Sequence, residues 1–539
     1  MKGTLLSIIG DAAEIQPPYY VLLVLATPAI LLTLYLAYNE LQRYRLRVPN
    51  LPGPLGFPLV GSLPSLRNKI TAEEFRLWAA RYGDVFQVQL GSSTVVVVNS
   101  AAAAEALFIR QREATNSRPI FYVLHKKVQG NGPVTSIGTS PWDHSCKRRR
   151  KVAASALNRP SVESYLPILG LESRAFLLDI LRGCQGGKVA LDVIGPARKF
   201  AMNLSLTVSY GTRVEDMRDF STDSILKEII HIEEEISRLR ETSSNYANYI
   251  PLLRPLNTIA EFLGLQDGSY LADIGKRRHA YHAKLQANLR AEIARGVDKP
   301  CIQGNVLRDP ESKGLSEGEL LSVSLSMMAG ADTSKRSLMW ACLLLAYRPD
   351  IQEKAYRAIV EADEALLTAL NVAGSKVEYI EALTKEIGRY FVVLRLALPK
   401  ATHSEVTWNG AVIPPKTVVF LNSWACSRDP AVFQDPDTFA PERWLGGESQ
   451  AHRHQYAFGI GGRMCVASQL ASKALYTVFL HLIAHFELLP AQNEPNPEAA
   501  DPLRGLLEDE NSRVAPRVHH VRFVPRNADA TRRMLSQGA

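Results

Sequence analysis

The sequence predicts a mainly α-helical protein with a minor β part, set behind an N-terminal transmembrane helix. Three observations predict it. Apolar residues recur at helical spacing through most of the chain, as in Ile225, Leu226, Ile229, Ile230, Ile236 and Leu239. Strand-like stretches are few and short, chiefly Val85 to Leu90 and Thr94 to Val98 around Gly91-Ser92-Ser93, which read as a hairpin. Tyr19 to Tyr38 carries no charged residue and is long enough to cross a bilayer.

The first element is that apolar stretch. Arg43, Arg45 and Arg47 follow it closely, whereas Lys2 is the one basic residue before it, so the positive-inside rule places the body of the protein in the cytosol. A cleaved signal peptide would instead carry its basic residues first and a small-residue cleavage site after. Pro49, Pro52, Pro54 and Pro58, with Gly53, Gly56 and Gly61, make a stiff extended linker. Beyond the hairpin the pattern is mostly helical: Asp223 to Arg240 is amphipathic, and Lys276 to Arg295 is a basic helix stopped by Gly296. Short strands return around Thr407 to Val419 and His519 to Val524. The expected organisation is a lumenal terminus (1–18), an anchor (19–38), a basic and proline-rich linker (39–62), one large catalytic domain (63–525) and a C-terminal tail (526–539).

Composition narrows the function. The 539 residues are 46 % hydrophobic, enough for a sizeable core, and carry a net charge of +8 with a pI near 9.0. The basic residues are spread widely and no nucleic-acid reader motif is present, so no nucleic-acid partner is expected. A basic face for an acidic protein or an anionic membrane fits that charge. The six cysteines, Cys146, Cys184, Cys301, Cys342, Cys426 and Cys465, form no CxxC pair, which argues against zinc and against a disulfide framework.

Five stretches carry the chemistry. Trp142 opens a helix that runs into Cys146-Lys147-Arg148-Arg149-Arg150-Lys151, a basic face. Leu321 to Met339 is an apolar helix interrupted by Ala329-Gly330-Ala331-Asp332-Thr333-Ser334. Those are poor interior choices, and their hydroxyls can bond back to the backbone and open the helix. Glu386 and Arg389 lie three apart and face one side of a helix, and Pro441-Glu442-Arg443-Trp444 follows later. Pro399-Lys400 precedes Gly410. Last, Phe458-Gly459-Ile460-Gly461-Gly462-Arg463-Met464-Cys465-Val466-Ala467 places a cysteine at the end of a glycine-rich loop, before a helical pattern that reaches about Ala484. Free N–H groups and the helix dipole can stabilise a thiolate there, Gly461 and Gly462 leave room for a flat ligand, and Arg463 suits a carboxylate.

That last run resembles the haem-ligand signature of the cytochrome P-450 monooxygenases, with Ala467 where a second glycine is usual. The resemblance covers about Pro49 to Pro525, and the other landmarks occur in family order. It implies the cytochrome P-450 fold, haem b with Cys465 as axial iron ligand, and Phe458, Gly461, Arg463, Trp142 and Lys400 about the cofactor. It implies that Asp332 and Thr333 serve catalysis by delivering protons to iron-bound dioxygen. It also implies that Glu386, Arg389 and Arg443 interlock beneath the haem loop. The thiolate would favour O–O cleavage. Two departures stand out. The propionate arginine expected four residues after Trp142 is Cys146, leaving Lys147 or Arg149 as the substitute, and Lys400 stands where an arginine is usual.

The wording of Phe86-Gln87-Val88-Gln89-Leu90-Gly91, Asn116-Ser117-Arg118-Pro119, Ser209-Tyr210-Gly211-Thr212-Arg213 and Lys299-Pro300-Cys301-Ile302 is similar to the fungal phenylacetate 2-hydroxylase and m-cresol hydroxylase group. The similarity implies a small aromatic substrate, dioxygen, and electrons from NADPH through the FAD/FMN flavoprotein NADPH-cytochrome P-450 reductase at the endoplasmic reticulum membrane. The expected reaction is hydroxylation of an m-cresol or hydroxybenzyl type phenol in polyketide biosynthesis, the alternative being phenylacetate 2-hydroxylation in aromatic catabolism. A reductase-independent isomerase or dehydratase, and an inactive membrane-anchored binding protein, are the readings from other classes. Intact Asp332-Thr333 argues against the first, and intact Cys465, Arg463 and Glu386/Arg389 against the second. Candidate pocket walls are Phe121, Tyr122 and Leu124, the Leu325 to Ala329 face with Ala329, and Val392 to Leu398.

Overall fold

The computed structural model describes residues 17–130, 135–213, 224–239, 245–264, 267–369, 371–446, 454–507 and 514–536. The expected lumenal terminus lies outside the described residues apart from its last two, and so does the very end of the expected tail, 537–539.

Helix α1 (Pro17–Arg45) contains the expected anchor and continues past it into Glu40, Arg43 and Arg45, with Pro28 inside. Ile30, Leu31 and Leu34 are exposed. Among the described residues no helix is long and apolar enough to cross a membrane. The proline-rich linker is fastened to the body. Arg43 donates to the carbonyls of Leu55 and Phe57, Arg47 to those of Gly53 and Pro54, and the Gln87 amide to those of Val48 and Leu51. Gly53 passes so close to the first strand that a Cβ would lie 1.8 Å from the Gln87 carbonyl oxygen.

After α2 (Thr71–Tyr82), the expected hairpin forms as β1 (Val85–Leu90) and β2 (Ser93–Val98), antiparallel with Val85 opposite Val98. It is buried along most of its length because it joins a four-stranded sheet with two strands from far down the chain.

The helical body begins with α3 (His144–Ser155), α4 (Leu166–Gly183), the short strand β3 (Ala190–Asp192) and α5 (Ile194–Tyr210). It continues through α6 (Ser224–Leu239), α7 (Leu253–Phe262) and α8 (Tyr270–Arg295), which ends on left-handed Gly296 at φ 70° as expected. The apolar Leu321 to Met339 pattern forms two helices, α9 (Glu317–Met328) and α10 (Gly330–Tyr347), separated at Ala329. The α9 start is fixed by a capping box between Ser316 and Glu319.

Helices α11 (Pro349–Ala362) and α12 (Glu378–Phe391) follow, then β4 (Lys400–Ala401), β5 (Val406–Trp408), β6 (Ala411–Ile413) and β7 (Val418–Leu421). Strand β7 pairs parallel with β2 and antiparallel with β4, giving the order β1-β2-β7-β4. The chain closes with α13 (Ser468–His485), β8 (Phe486–Pro490), β9 (His520–Pro525) and α14 (Ala528–Ser536). The main core joins α4, α5, α10, α12 and α13, where Trp340 stacks on Phe391 with ring centroids 4.6 Å apart. The expected C-terminal tail is mostly α14, whose Met534 and Leu535 enter that same core.

Candidate active site

The cysteine loop is shaped by its glycines. Gly459 (φ 73°) and Gly461 (φ 75°) adopt backbone that L-residues rarely take. A Cβ on Gly461 would sit 2.2 Å from the Phe108 carbonyl oxygen, so no side chain fits there. The loop folds back on itself, the Cys465 N–H donating to the Phe458 carbonyl at 2.9 Å, with Phe458 half-buried. Cys465 is exposed whereas the other five cysteines are buried. Desolvation by the surrounding loop pushes its thiol up from the ordinary value, opposed by the Ala467 N–H and by Arg150. Helix α13 starts only at Ser468, so the thiolate-stabilising group nearest Cys465 is the N–H of the cap residue.

Four cations gather beside this loop. Arg463 is buried and donates to the carbonyls of Asn116 (2.8 Å), Ile137 (3.0 Å) and Ser140 (3.0 Å), with its Nε unpartnered. Arg118 is buried and donates to the carbonyls of Gly138, Leu398 and Pro399. Lys400 is buried and donates to the Ile460 carbonyl at 3.2 Å. Arg150 reaches the carbonyls of Gly462 and Met464, both at 3.3 Å. Burial lowers the pKa of all four; repulsion from Arg463 and Arg150 adds to it at Arg118, and from Arg118, Arg463 and Arg150 at Lys400. None of the four has a carboxylate ion-pair partner among the described residues. Buried like charges without counter-charge are costly, so the cluster is built for an anion. The two carboxylates of haem beside a cysteine ligand meet that requirement, and the residues fit the group.

The basic residues that follow Cys146 differ in what they reach. Arg149 is spent, donating to the carbonyls of Ser145 and Thr135 and to the hydroxyls of Ser322 and Ser140. Lys147 is exposed and lies 5.6 Å over the Trp142 ring. Arg150 is the member of the run that joins the cation cluster. Trp142 does not open the helix: Asp143 caps it by accepting from the Cys146 N–H at 2.7 Å, because an aspartate there satisfies a free donor that a tryptophan cannot. Trp142 sits beside Arg463, 5.5 Å from the guanidinium carbon. Arg118 and Arg150 lie in recognisable sequence motifs, but nothing in the spacing marks them as sharing one site with Lys400.

At the α9–α10 break, Thr333 Oγ1 donates to the Gly330 carbonyl at 3.1 Å, the back-bonding the sequence suggests. Asp332 accepts from Ser237 of α6 at 2.7 Å and from Arg336 at 3.1 Å, with Lys335 at 3.4 Å. Burial would raise its pKa, but Arg336 and Lys335 outweigh it and hold the carboxyl down at about 2. Asp332 and Ala329 line a cleft with Met202, Glu233 and Glu234. On α12, whose Lys385 carbonyl accepts from the Gln455 amide just ahead of the loop, Glu386 binds Arg389 through both oxygens (2.7 and 2.8 Å), Arg443 (3.1 Å) and the Trp444 indole (2.8 Å). The expected interlock is present, and it is fully buried at Glu386 and Arg389.

A second cleft is lined by Phe121, Leu124, Leu239, Asn248 and Leu398, and by Arg118 of the cation cluster. Phe121 and Leu124 are therefore cleft residues. Tyr122 turns to Arg254, whose guanidinium carbon is 4.7 Å from its ring centroid. Val392 is fully buried in a separate cluster with Ala72 and Trp424, since it caps α12 in left-handed conformation and is drawn into the packing beneath it. It stands apart from both clefts.

The family model described as cytochrome P-450 matches residues 51–513. The chain is 42 % identical to 3-hydroxyphenylacetate 6-hydroxylase of Emericella nidulans over 92 % of either chain. It is 36 % identical to phenylacetate 2-hydroxylase of the same organism over 91 % of this chain and 93 % of that one. It is 39 % identical to a cytochrome P-450 monooxygenase of Mycosarcoma maydis over 88 % and 87 %.

Proposed function

The chain belongs to the cytochrome P-450 family and is a monooxygenase, and from that premise we propose that it hydroxylates the ring of a small monocyclic aromatic acid of the phenylacetate class. The observation that carries the reading is the second cleft. Its walls are aromatic and aliphatic, and through Arg118 it lies against the cation cluster beside Cys465, so an apolar ring suits it and an anionic substituent meets a positive field. Relatives whose names state hydroxylation of phenylacetate and of 3-hydroxyphenylacetate support it. The phenolic reading, an m-cresol or hydroxybenzyl substrate in secondary metabolism, shares the ring and lacks the charge.

Cys465 would hold the haem iron through its sulfur, and Arg463, Arg118, Lys400, Arg150 and Trp142 would hold its carboxylates. When bound, haem supplies dioxygen activation and the insertion of one oxygen atom into the substrate. The protein does the rest. Phe121, Leu124 and Leu398 hold the ring and exclude water from it. Thr333 presents a hydroxyl at the opened turn between α9 and α10. Asp332 carries a negative charge at working pH and gains a proton only when its hold on Arg336 and Lys335 loosens. In this reading electrons come from NADPH through a flavoprotein reductase, for which the exposed end of the basic run on α3 is a docking face. In this reading α1 holds the protein at the endoplasmic reticulum membrane, with the catalytic body on the cytosolic side.

The test is an optical titration of the ferric holoenzyme with phenylacetate, 3-hydroxyphenylacetate, m-cresol and 3-hydroxybenzyl alcohol. A saturable low-spin to high-spin shift with the acids, weaker by about tenfold or more with the phenols, is expected. A shift with the phenols alone would move the protein to phenolic biosynthesis.

A further inference from the structure

The second cleft contains an amide, that of Asn248, whose Nδ2 has no acceptor among the described residues. Asn248 lies in the segment between α6 and α7 and is fixed on several sides. Its Oδ1 accepts from the Val123 N–H at 2.9 Å, and a backbone N–H can only donate, so the amide orientation is set. Its own N–H donates to the Asn245 carbonyl at 2.9 Å, and its carbonyl accepts from Arg254 at 3.3 Å. The neighbouring Tyr249 carbonyl accepts from the Ser92 N–H at 2.8 Å, which pins the segment to the β1–β2 turn. Nδ2 therefore points away from Val123, and it donates to no protein atom among the described residues.

The other polar groups of the cleft are committed. His125 Nδ1 accepts from the Phe121 N–H at 3.0 Å, leaving Nε2 to donate to the Thr139 carbonyl at 3.2 Å. Thr139 Oγ1 bonds the Ser136 hydroxyl at 2.9 Å. Arg118 donates to three carbonyls and belongs to the cation cluster. In a cleft otherwise walled by Pro119, Phe121, Leu124, Leu239, Leu398 and Pro399, an oriented, unspent donor selects for an acceptor oxygen on the ligand.

We propose that Asn248 is a specificity-determining residue: its Nδ2 donates to the carboxylate of an arylacetic acid whose ring lies among Phe121, Leu124 and Leu398. This rests on the function proposed above and names the contact that separates an arylacetate from its neutral ring analogues. Two terms favour the acid. A charge-assisted bond is stronger than a neutral one, and the buried cations nearby make the cleft electropositive.

The experiment is the same spin-shift titration on full-length holoenzyme, comparing the native protein with Asn248→Asp at equal haem-thiolate content. Aspartate keeps an oxygen to accept from Val123, replaces the donor with an acceptor and adds a negative charge. Affinity for phenylacetate and 3-hydroxyphenylacetate should fall by at least about tenfold, while that for toluene stays within about twofold. Asn248→Ala removes the donor without the charge and should weaken the acids by at least about threefold with toluene again unchanged. It decides the matter if the aspartate variant fails to take up haem. Unchanged acid affinity in the variants, beside a normal native response, overturns this inference alone. So does an equal loss for acids and toluene, which would make Asn248 a fold residue. A native protein that binds toluene and m-cresol but no acid overturns the inference and the proposed substrate class together.

Discussion

At the scale of single residues, Asp332 shows how the site sets a protonation state. Its carboxyl is held at about 2 by Arg336 and Lys335 against the opposing effect of burial. A depressed acid contributes stability that is fully present above its unfolded pKa, about 3.9, and is lost as pH falls through the folded value. Across about pH 5 to 8 the group is therefore ionised and contributes no acid limb. Asp332→Asn removes the group that can pass a proton while leaving the second cleft untouched. Its turnover should fall by about a hundredfold with unchanged spin-shift affinity, and the native rate should show no inflection from Asp332 in that pH window. An acid limb present in the native protein and absent from Asp332→Asn would show that the carboxyl titrates there after all. The residue identities were legible because the motif places Asp332 and Thr333 together. The restraints were not, because Ser237 comes from another helix, α6, and no spacing rule links residues that far apart.

At the scale of elements, α13 carries a constraint no motif announces. His481 and His485 are one turn apart and buried, with ring centroids 6.3 Å apart. His481 Nδ1 bonds Ser173 of α4 at 2.5 Å and His485 Nδ1 bonds Thr531 of α14 at 3.3 Å, so they tie α13 to helices on either side. Burial, chiefly, lowers their pKa values to about 3 and about 4. For a base, a lowered value means the neutral form is the one folded. Stability is then full above the unfolded value near 6.5 and falls as pH drops below it, by about 1.4 kcal/mol per pH unit for each group until the native form takes up the proton. Urea midpoints should drop between about pH 7 and pH 5, and His485→Gln should flatten the decline. A midpoint independent of pH over that interval would show that these rings are solvated in the native state. In the sequence α13 is simply an apolar helix following Cys465. Its extent was legible to within a residue or two, whereas the buried imidazoles become visible only once Ser173 and Thr531 are brought to them.

At the scale of the whole molecule, what the sequence revealed and what it hid divide along contact range. The hairpin β1–β2, the end of α8 at Gly296 and the opened turn between α9 and α10 depend on neighbours in the chain, and each was readable. The parallel pairing of β2 with β7, the cation cluster of Arg118, Arg150, Lys400 and Arg463, and the entry of α14 into the core depend on the chain's return over hundreds of residues. The same division governs α1. Its apolar run is a local property, but whether it spans a bilayer depends on the surroundings. The helix continues into a charged segment that Arg43 and Arg47 fasten to the linker carbonyls. Ile30, Leu31 and Leu34 are exposed on the same helix, and apolar surface of this kind is unfavourable in water. If α1 anchors the protein as proposed, it should stay in the membrane pellet when microsomes are washed with alkaline carbonate, and leave it only with detergent. Release by carbonate alone would mean that α1 lies against the surface, and the linker would then be holding a peripheral helix in place of an anchor.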